Sequence, residues 1–550
     1  MRPDGKPEGL RQSMSWLHTW CGLLLGWLLY AVFFTGTLSF FVDEITDWMR
    51  PELHRSVPGP QTAELAVAAM QKIAPDAATW TINLPGERQT AVEASWRAPG
   101  APAGRAGTQR VQLDAGTGEV LKPRETRGGN FLYRFHFELY AMPRIWGRWI
   151  VGIATMFMFV AIISGVITHK KIFAEFFTFR PRKGQRSWLD AHNATAVLAL
   201  PFHIVITFSG LLLLMSMLMP WGIDAVYNGD AQKYFAESRG RAAGGGGERE
   251  ARGGRPQAAE PAPLTAIAPL MQAAQARWPE RGVGSIVVQR PGTPGATIEL
   301  REQGAHSVAR GTGEKLLFDG ATGAPRTPPE ARAPSAAQMV SGTVMGIHLG
   351  RFADPAVRWL LFLSGVVGTV MAGSGLVLWV VKRLPERRKL GRTPRGHRLV
   401  EVLNIGAISG LSIATATYFF ANRLLPVEIA QRADLEIRCF FVAWGLCLLH
   451  ALLRPHRRAW LEQLWLAALA FAALPLLNAA TGGTPLPAAM LHGQWSVAGF
   501  DLVALAFAAL HGFAAWKLGK SAAVAATRPA ASGAGLRVPR PVAQSAEKQA

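Results

Sequence analysis

The sequence predicts a membrane all-α bundle of about eight transmembrane helices, with two soluble α/β modules on one side. Three observations point there. Hydrophobic residues make up 49% of the 550 residues and charged residues 17%, where a soluble chain carries about a quarter charged. The apolar residues gather in blocks of roughly twenty, the length that crosses ~30 Å of hydrocarbon as a helix. The net charge of +21 falls largely in short stretches between those blocks, which suits membrane topology better than nucleic-acid binding on a folded basic face.

The apolar blocks are 16–42, 146–168, 189–219, 357–381, 400–421, 437–453, 460–477 and 497–518. The first is too long for a signal-peptide core and no small-residue cleavage site follows it, so a retained anchor is expected. The segment 169–188 carries Lys170, Lys171, Arg180, Arg182, Lys183 and Arg186 against Glu175 alone, and 382–399 carries eight basic residues from Lys382 to Arg398. Arg454, Arg457 and Arg458 follow the sixth block. Basic short loops mark the cytoplasmic side. This places the N-terminus 1–15 and the tail 519–550 in the cytoplasm, and the long loops 43–145 and 220–356 on the periplasmic side. Cys21, Cys439 and Cys447 all lie in apolar blocks, which excludes a disulfide framework, and no CxxCH string offers covalent haem attachment.

Each long loop reads as an α/β module. In the first, TAELAVAAMQKIAPD has helical periodicity and TWTINL, TAVEASW and RVQLD alternate as strands before the turn DAGTGEVL. The second repeats the order with LTAIAPLMQAAQARWPER, GSIVVQR, ATIELRE, KLLFD and DGATGAPR. Arg239–Gln257, with four consecutive glycines, reads as a flexible tether, and the Ala/Pro/Arg-rich stretch from Ser521 as disordered.

The duplication extends into the apolar blocks. His18 precedes Gly36 by eighteen residues, as His192 precedes Gly210, and each glycine follows Thr or Ser. His136 precedes the second block as His348 precedes the fourth. Arg148–Trp149 stands as far from Ser164–Gly165 as Arg358–Trp359 from Ser374–Gly375. The first four blocks are therefore a duplicated pair, parallel repeats able to enclose a cofactor.

Histidine at membrane depth needs a partner, so these residues are functional candidates. His18, His169 and His192 lie toward the basic-loop face, and His136, His348 and His203 toward the other. His192 and His203 are eleven residues apart, three turns plus ~20° on one helix and roughly 16 Å along it. Imidazoles in two layers suit two stacked haems. Symmetry pairs His18 with His192 and His136 with His348, although an interfacial histidine can also simply anchor its helix. His169 and His203 break the symmetry, having Trp379 and Leu29 as counterparts, and either could displace a member of a pair. His54, His306, His397 and His456 read as solvated, and His450 and His511 as a weaker couple. Glycines 26, 36, 152, 165 and 210 offer room for a flat macrocycle, though small residues also serve helix packing. No hydrolase elbow, HExxH, Walker or Rossmann motif appears, so electrons would come from a partner or a lipid quinol.

The stretch WLHTWCGLLLGWLLYAVFFTGTLSFF resembles the start of PepSY-associated transmembrane proteins, as do SGVITHKKIF, FFTFRPRKGQRSWLDAHN, LPFHIVITFSGL and IHLGRF. The two outer modules, with their DAGTGEVL and DGATGAPR turns, are similar to PepSY domains. The resemblance covers roughly 10–390 and leaves the last four blocks unmatched. It implies an inner-membrane b-type haem oxidoreductase with two haems, passing electrons to a periplasmic ferric siderophore or other ferric chelate. The donor would be a quinol or a cytoplasmic reductase. By motif it implies haem roles for His18, His136, His192 and His348, with His169 and His203 as further candidates. A siderophore or iron transporter, and a non-catalytic PepSY binding or regulatory protein, are the rival expectations.

Overall fold

The computed structural model describes residues 9–102, 105–169, 180–181, 183–238, 262–304, 314–327, 335–350 and 354–527. The tether Arg239–Gln257, His306, residues 170–179 and 182 of the first basic loop, and residues 528–550 of the tail lie outside them.

Seven helices among the described residues are long and apolar enough to cross a membrane, and a bent pair makes an eighth span. They are Gly26–Trp48, Arg144–Thr168, the bent pair, Pro355–Lys389, Arg395–Leu424, Arg432–Leu453, His456–Ala480 and Trp495–Lys520. Their outward faces present Ile153, Phe157, Leu360, Leu363, Leu466, Leu469 and Phe513 to the surroundings. A continuous apolar belt of that kind is stable against lipid and not against water. The chain is a multi-pass membrane protein.

Two expectations about the helices are corrected. The third span is not one straight helix: Gln185–Leu198 and Leu200–Leu213 meet at 67°. Pro201 stands in the first turn of the second helix, where it can donate no backbone hydrogen bond across the break. His192 and His203 therefore do not share one helical face. The stretch from Ser521 begins as helix, because Trp495–Thr527 runs on without interruption.

On one side of the bundle the two long loops form a separate sheet region. Strands β1 (Thr79–Asn83), β2 (Val92–Arg97), β3 (Thr108–Leu113) and β4 (Val120–Leu121) come from the first loop. Strands β5 (Val283–Gln289), β6 (Thr297–Glu302), β7 (Lys315–Asp319) and β8 (Pro325–Arg326) come from the second. The two sets are not separate modules. They make one eight-stranded sheet ordered β4-β3-β2-β1-β5-β6-β7-β8, antiparallel throughout and joined where Trp80 faces Val288 and Ile82 faces Ile286. Either half alone would leave the backbone of its innermost strand as an open edge. Helices Thr62–Ile73 and Ile267–Arg277 cover the sheet, and Met70, Trp80, Ile82, Leu270, Ala274 and Ile286 form one shared core. The twin turns use the same chemistry: Asp114 Oδ1 accepts from the Gly116 and Thr117 N–H groups, and Asp319 Oδ1 from those of Ala321 and Thr322.

The last four spans pack against the first and fourth. Trp27 Nε1 donates to Asn404 Oδ1 (2.8 Å), and Asn404 Nδ2 to the Leu376 carbonyl (3.0 Å). Trp48 is fully buried, with its Nε1 on Asp501 (2.8 Å), its ring stacked on Phe500 (centroids 4.2 Å apart) and the Arg423 guanidinium over its face.

His54 lies just beyond this junction and is buried, not solvated. Its Nε2–H donates to the Asp47 carbonyl (2.9 Å), while Nδ1 accepts from the Thr484 N–H (3.2 Å). A proton added at Nδ1 would face another donor, and burial pushes the pKa down to about 4. Against an ordinary value of ~6.5, the His54 contribution is intact above pH ~6.5 and is lost as pH falls toward 4, at ~1.4 kcal/mol per unit. Thermal unfolding of the full chain is expected to shift downward between pH 7.5 and 5, and His54→Asn to flatten that slope. An identical slope in the variant would reject the assignment.

Candidate functional site

The helices bring four of the six candidate histidines together as two pairs. His18, on the helix Leu10–Leu24, and His192, on Gln185–Leu198, have ring centres 6.2 Å apart. His136, on Gly129–Glu138, and His348, on Ala336–Leu349, have ring centres 6.2 Å apart as well. The second pair is on the sheet side. It borders a cavity of about 300 Å³ that Gly36, Gly210 and Gly365 also line. Gly365 and Gly375, which touches His192, are on the uninterrupted helix Pro355–Lys382. Ten residues of helix put the two tiers about 15 Å apart.

Each imidazole is seated the same way, against a glycine that follows a hydroxyl residue in the facing span. A Cβ added at Gly36 would stand 2.6 Å from His136 Cε1 and Nδ1. The nearest ring atom would be 3.0 Å away for Gly165 against His18, 3.0 Å for Gly375 against His192 and 3.1 Å for Gly210 against His348. The helix that carries each glycine also supplies a hydrogen-bond acceptor, for three of the rings a carbonyl one turn before the glycine. His18 Nδ1–H donates to the Ala161 carbonyl (2.8 Å), His136 Nδ1–H to Val32 (2.7 Å) and His192 Nδ1–H to Met371 (2.9 Å). His348 Nδ1–H donates to Ser209 Oγ (2.9 Å), whose own hydroxyl donates to the Ile206 carbonyl (3.2 Å). The hydroxyls of Thr35, Ser164 and Ser374 likewise bond back to their own helices.

With Nδ1 occupied, Nε2 is the ring atom left with a lone pair, and among the described residues no hydrogen bond engages it in any of the four. Burial lowers the pKa of His136 and His348, more so for His348 because His136 is beside it. Both rings are then neutral, the form that binds a metal. Two metal–nitrogen bonds of about 2.0–2.1 Å, with each nitrogen about 1.1 Å from its ring centre, span about 6.3 Å. A ring-centre spacing of 6.2 Å is compatible with one metal atom between the two imidazoles of each pair. Among the described residues no group of three or more His, Cys, Asp or Glu side chains converges as a metal-ion site. The donor set fits a metal that arrives with its other ligands, as haem iron does.

Residues 15–382 match the PepSY-associated TM region family. The chain belongs to that family. All six candidate histidines and all four seating glycines fall inside the family region, while the last four spans lie beyond it. No curated protein matches the chain.

His203 belongs to neither pair. It is 1% exposed, packs edge-on against Phe33 (5.9 Å), and its Nε2 approaches the Cβ position of Gly368, between the levels of Gly365 and Gly375. His169 is the C-cap of the second span, its backbone N–H on the Gly165 carbonyl (3.1 Å). His397 is buried rather than solvated, and with His456 it gathers around Glu401. His450 and His511 take different partners: His450 Nε2 bonds Glu462 (2.8 Å), and His511 stacks on Phe471 (5.9 Å). The sequence leaves Gly26, Gly36, Gly152, Gly165 and Gly210 open between room for a macrocycle and helix packing. Gly36, Gly165 and Gly210 instead accommodate imidazoles, whereas Gly26 and Gly152 meet Leu376 and Leu218 in ordinary helix packing. Gly375 was missed, although the Ser–Gly pair it forms with Ser374 repeats the pattern at 164–165 and 209–210.

Proposed function

We propose that the protein is an inner-membrane b-type haem oxidoreductase that carries electrons between two tiers and reduces a ferric chelate on the sheet side. The observation that carries this reading is the repeated imidazole pair: twice, two rings with Nδ1 engaged stand 6.2 Å apart. His18 with His192 would hold one haem and His136 with His348 the other. Bound haem supplies a one-electron carrier whose potential its axial ligands and surroundings set.

The chain's own residues do the positioning. The hydrogen bond from each Nδ1–H to a helix acceptor fixes the tautomer and ring orientation and makes Nε2 a stronger donor. The glycine behind each ring brings the imidazole against the facing helix, so span and ligand move together. Apolar walls such as Phe33, Phe40 and Met158 at the sheet-side tier keep water from it. Iron in a chelate reduced there becomes a softer partner for hard oxygen ligands, which favours its release.

Full-length protein purified from haem-replete cells is expected to show a Soret band, an α-band that sharpens on reduction, and two haems per chain. Reduction of a ferric chelate by the pre-reduced protein would complete the test, and well-folded colourless protein would overturn the reading. Gly36→Leu is expected to displace His136 and remove about one haem per chain. Gly22→Leu, at a position where an added Cβ meets nothing within 4 Å, should remove none. Equal haem content in the two variants would contradict the seating role.

A further inference from the structure

The largest cavity described, about 970 Å³, is not the one beside the histidines. It opens between the first, fourth, fifth, seventh and eighth spans, toward their sheet-side ends. Its wall is aromatic: Phe34, Trp359, Phe419, Phe471, Phe500 and Phe507 all face it. Phe471 and Phe507 have ring centres 5.4 Å apart, and Phe419 and Phe500 4.9 Å apart, in the range where aromatic rings attract one another and would accept another flat ring. The seventh and eighth spans lie beyond the family region, so this cavity is built partly by what the chain adds to the family.

The polar end of the cavity narrows the choice of occupant. Two cations stand there, and both are already paired: Arg88 with Asp43 (2.9 Å) and Glu44 (2.8 Å), Arg358 with Glu44 (3.2 Å). Among the described residues of the wall both arginines are thus engaged by carboxylates rather than held out to a phosphate or a carboxylate, and an anionic lipid head would also meet Glu44 and Glu87. Gln494, in the cavity wall, donates through Nε2 to the His54 carbonyl (2.8 Å), while its Oε1 is buried without a hydrogen-bond partner. A small shift of that amide would let a ligand hydroxyl satisfy an acceptor that is costly to leave open. A cavity of this volume, walled by apolar spans, aromatic within and with a neutral amide at one end, suits a neutral ring with hydroxyls and an apolar tail.

We infer that this cavity binds a quinol or quinone drawn from the bilayer. Its ring would lie among the phenylalanines and its oxygens toward Gln494. The first span separates it from the sheet-side histidines, since Phe34 and Leu38 face this cavity while Phe33 and Thr37 face the other. One helix, about 10 Å across, lies between them. Binding stands on the cavity alone; that the ligand exchanges electrons with the histidine tier rests on the haem reading.

The test uses the full chain in phosphatidylcholine nanodiscs and a photoreactive short-chain quinone. Labelling is expected to saturate, to be displaced by unlabelled quinone, and to map to peptides containing 355–362 or 492–507. Gly499 lines the cavity, and a Cβ there meets nothing within 4 Å. Gly499→Phe should therefore fill the space and weaken labelling at least tenfold with haem content unchanged. Unsaturable labelling, label mapped elsewhere, equal labelling of the variant, or displacement by phosphatidylglycerol would each overturn the assignment. Because labelling is read without haem absorbance, colourless protein that still labels would sink the haem reading and leave this one standing.

Discussion

Replacing His136 with alanine is expected to empty the sheet-side tier and leave the other loaded, so that haem per chain falls from two to about one. Among the described residues each tier brings together one imidazole pair, and on the haem reading His348 alone would hold the group less firmly. His18→Ala should do the same at the other tier, and the double variant should be colourless. The arrangement also permits rescue. His136→Gly leaves a ring-sized space against Gly36 and the Val32 carbonyl, so added imidazole is expected to restore the second haem. His450→Ala, which disturbs a contact with Glu462, should leave both haems in place. The measurement is haem-to-protein ratio by haemochrome assay. Two haems retained in His136→Ala would refute the pairing.

Glu436→Ala is expected to destabilise the chain by about 3–5 kcal/mol, the cost of leaving a buried partner charge uncompensated. Glu436 and Arg432 form an ion pair with both side chains fully buried. Thr126 Oγ1 (2.6 Å) and Asn422 Nδ2 (2.9 Å) complete the carboxylate's shell, and Arg432 also reaches the Glu125 carbonyl (3.1 Å). Nearby, Tyr418 hydroxyl donates to the Gly128 carbonyl (3.0 Å). These bonds hold residues 125–128, the entry to the helix that carries His136, against the fifth and sixth spans. Glu436→Ala should therefore also loosen the sheet-side tier, seen as haem lost earlier on heating. The double change Arg432→Met/Glu436→Leu, which removes both charges, should cost much less. If the double variant were as unstable as the single, the buried charge would not be the cause.

Much of this architecture was legible in the sequence, and the exceptions have physical causes. The apolar blocks and the alternating strands follow from local periodicity, which survives any tertiary arrangement. The approach of His18 to His192 and of His136 to His348 was readable from matched intervals in the first four apolar blocks. The junction of β1 with β5 was not, because it pairs strands from loops separated by two spans, and each strand's own pattern is satisfied with or without it. His192 and His203 do not share a face because the span breaks by 67° just before Pro201, which has no N–H to carry the helix across. His54 looked solvated because its neighbours in sequence are polar, yet Thr484 and Gln494, far along the chain, close over it. Gly36, Gly165 and Gly210 stand out in the sequence for their size, but the facing ring is what explains a glycine at all four seats.

The seam between β1 and β5 also limits how such a protein could be taken apart. With the two extramembrane halves sharing one hydrogen-bonded ladder and one core, a gene cut between the second and third spans would encode two fragments that each expose a raw strand. Such fragments would have to find one another before they could resist aggregation, so the two halves are expected to fold reliably only when one chain carries both.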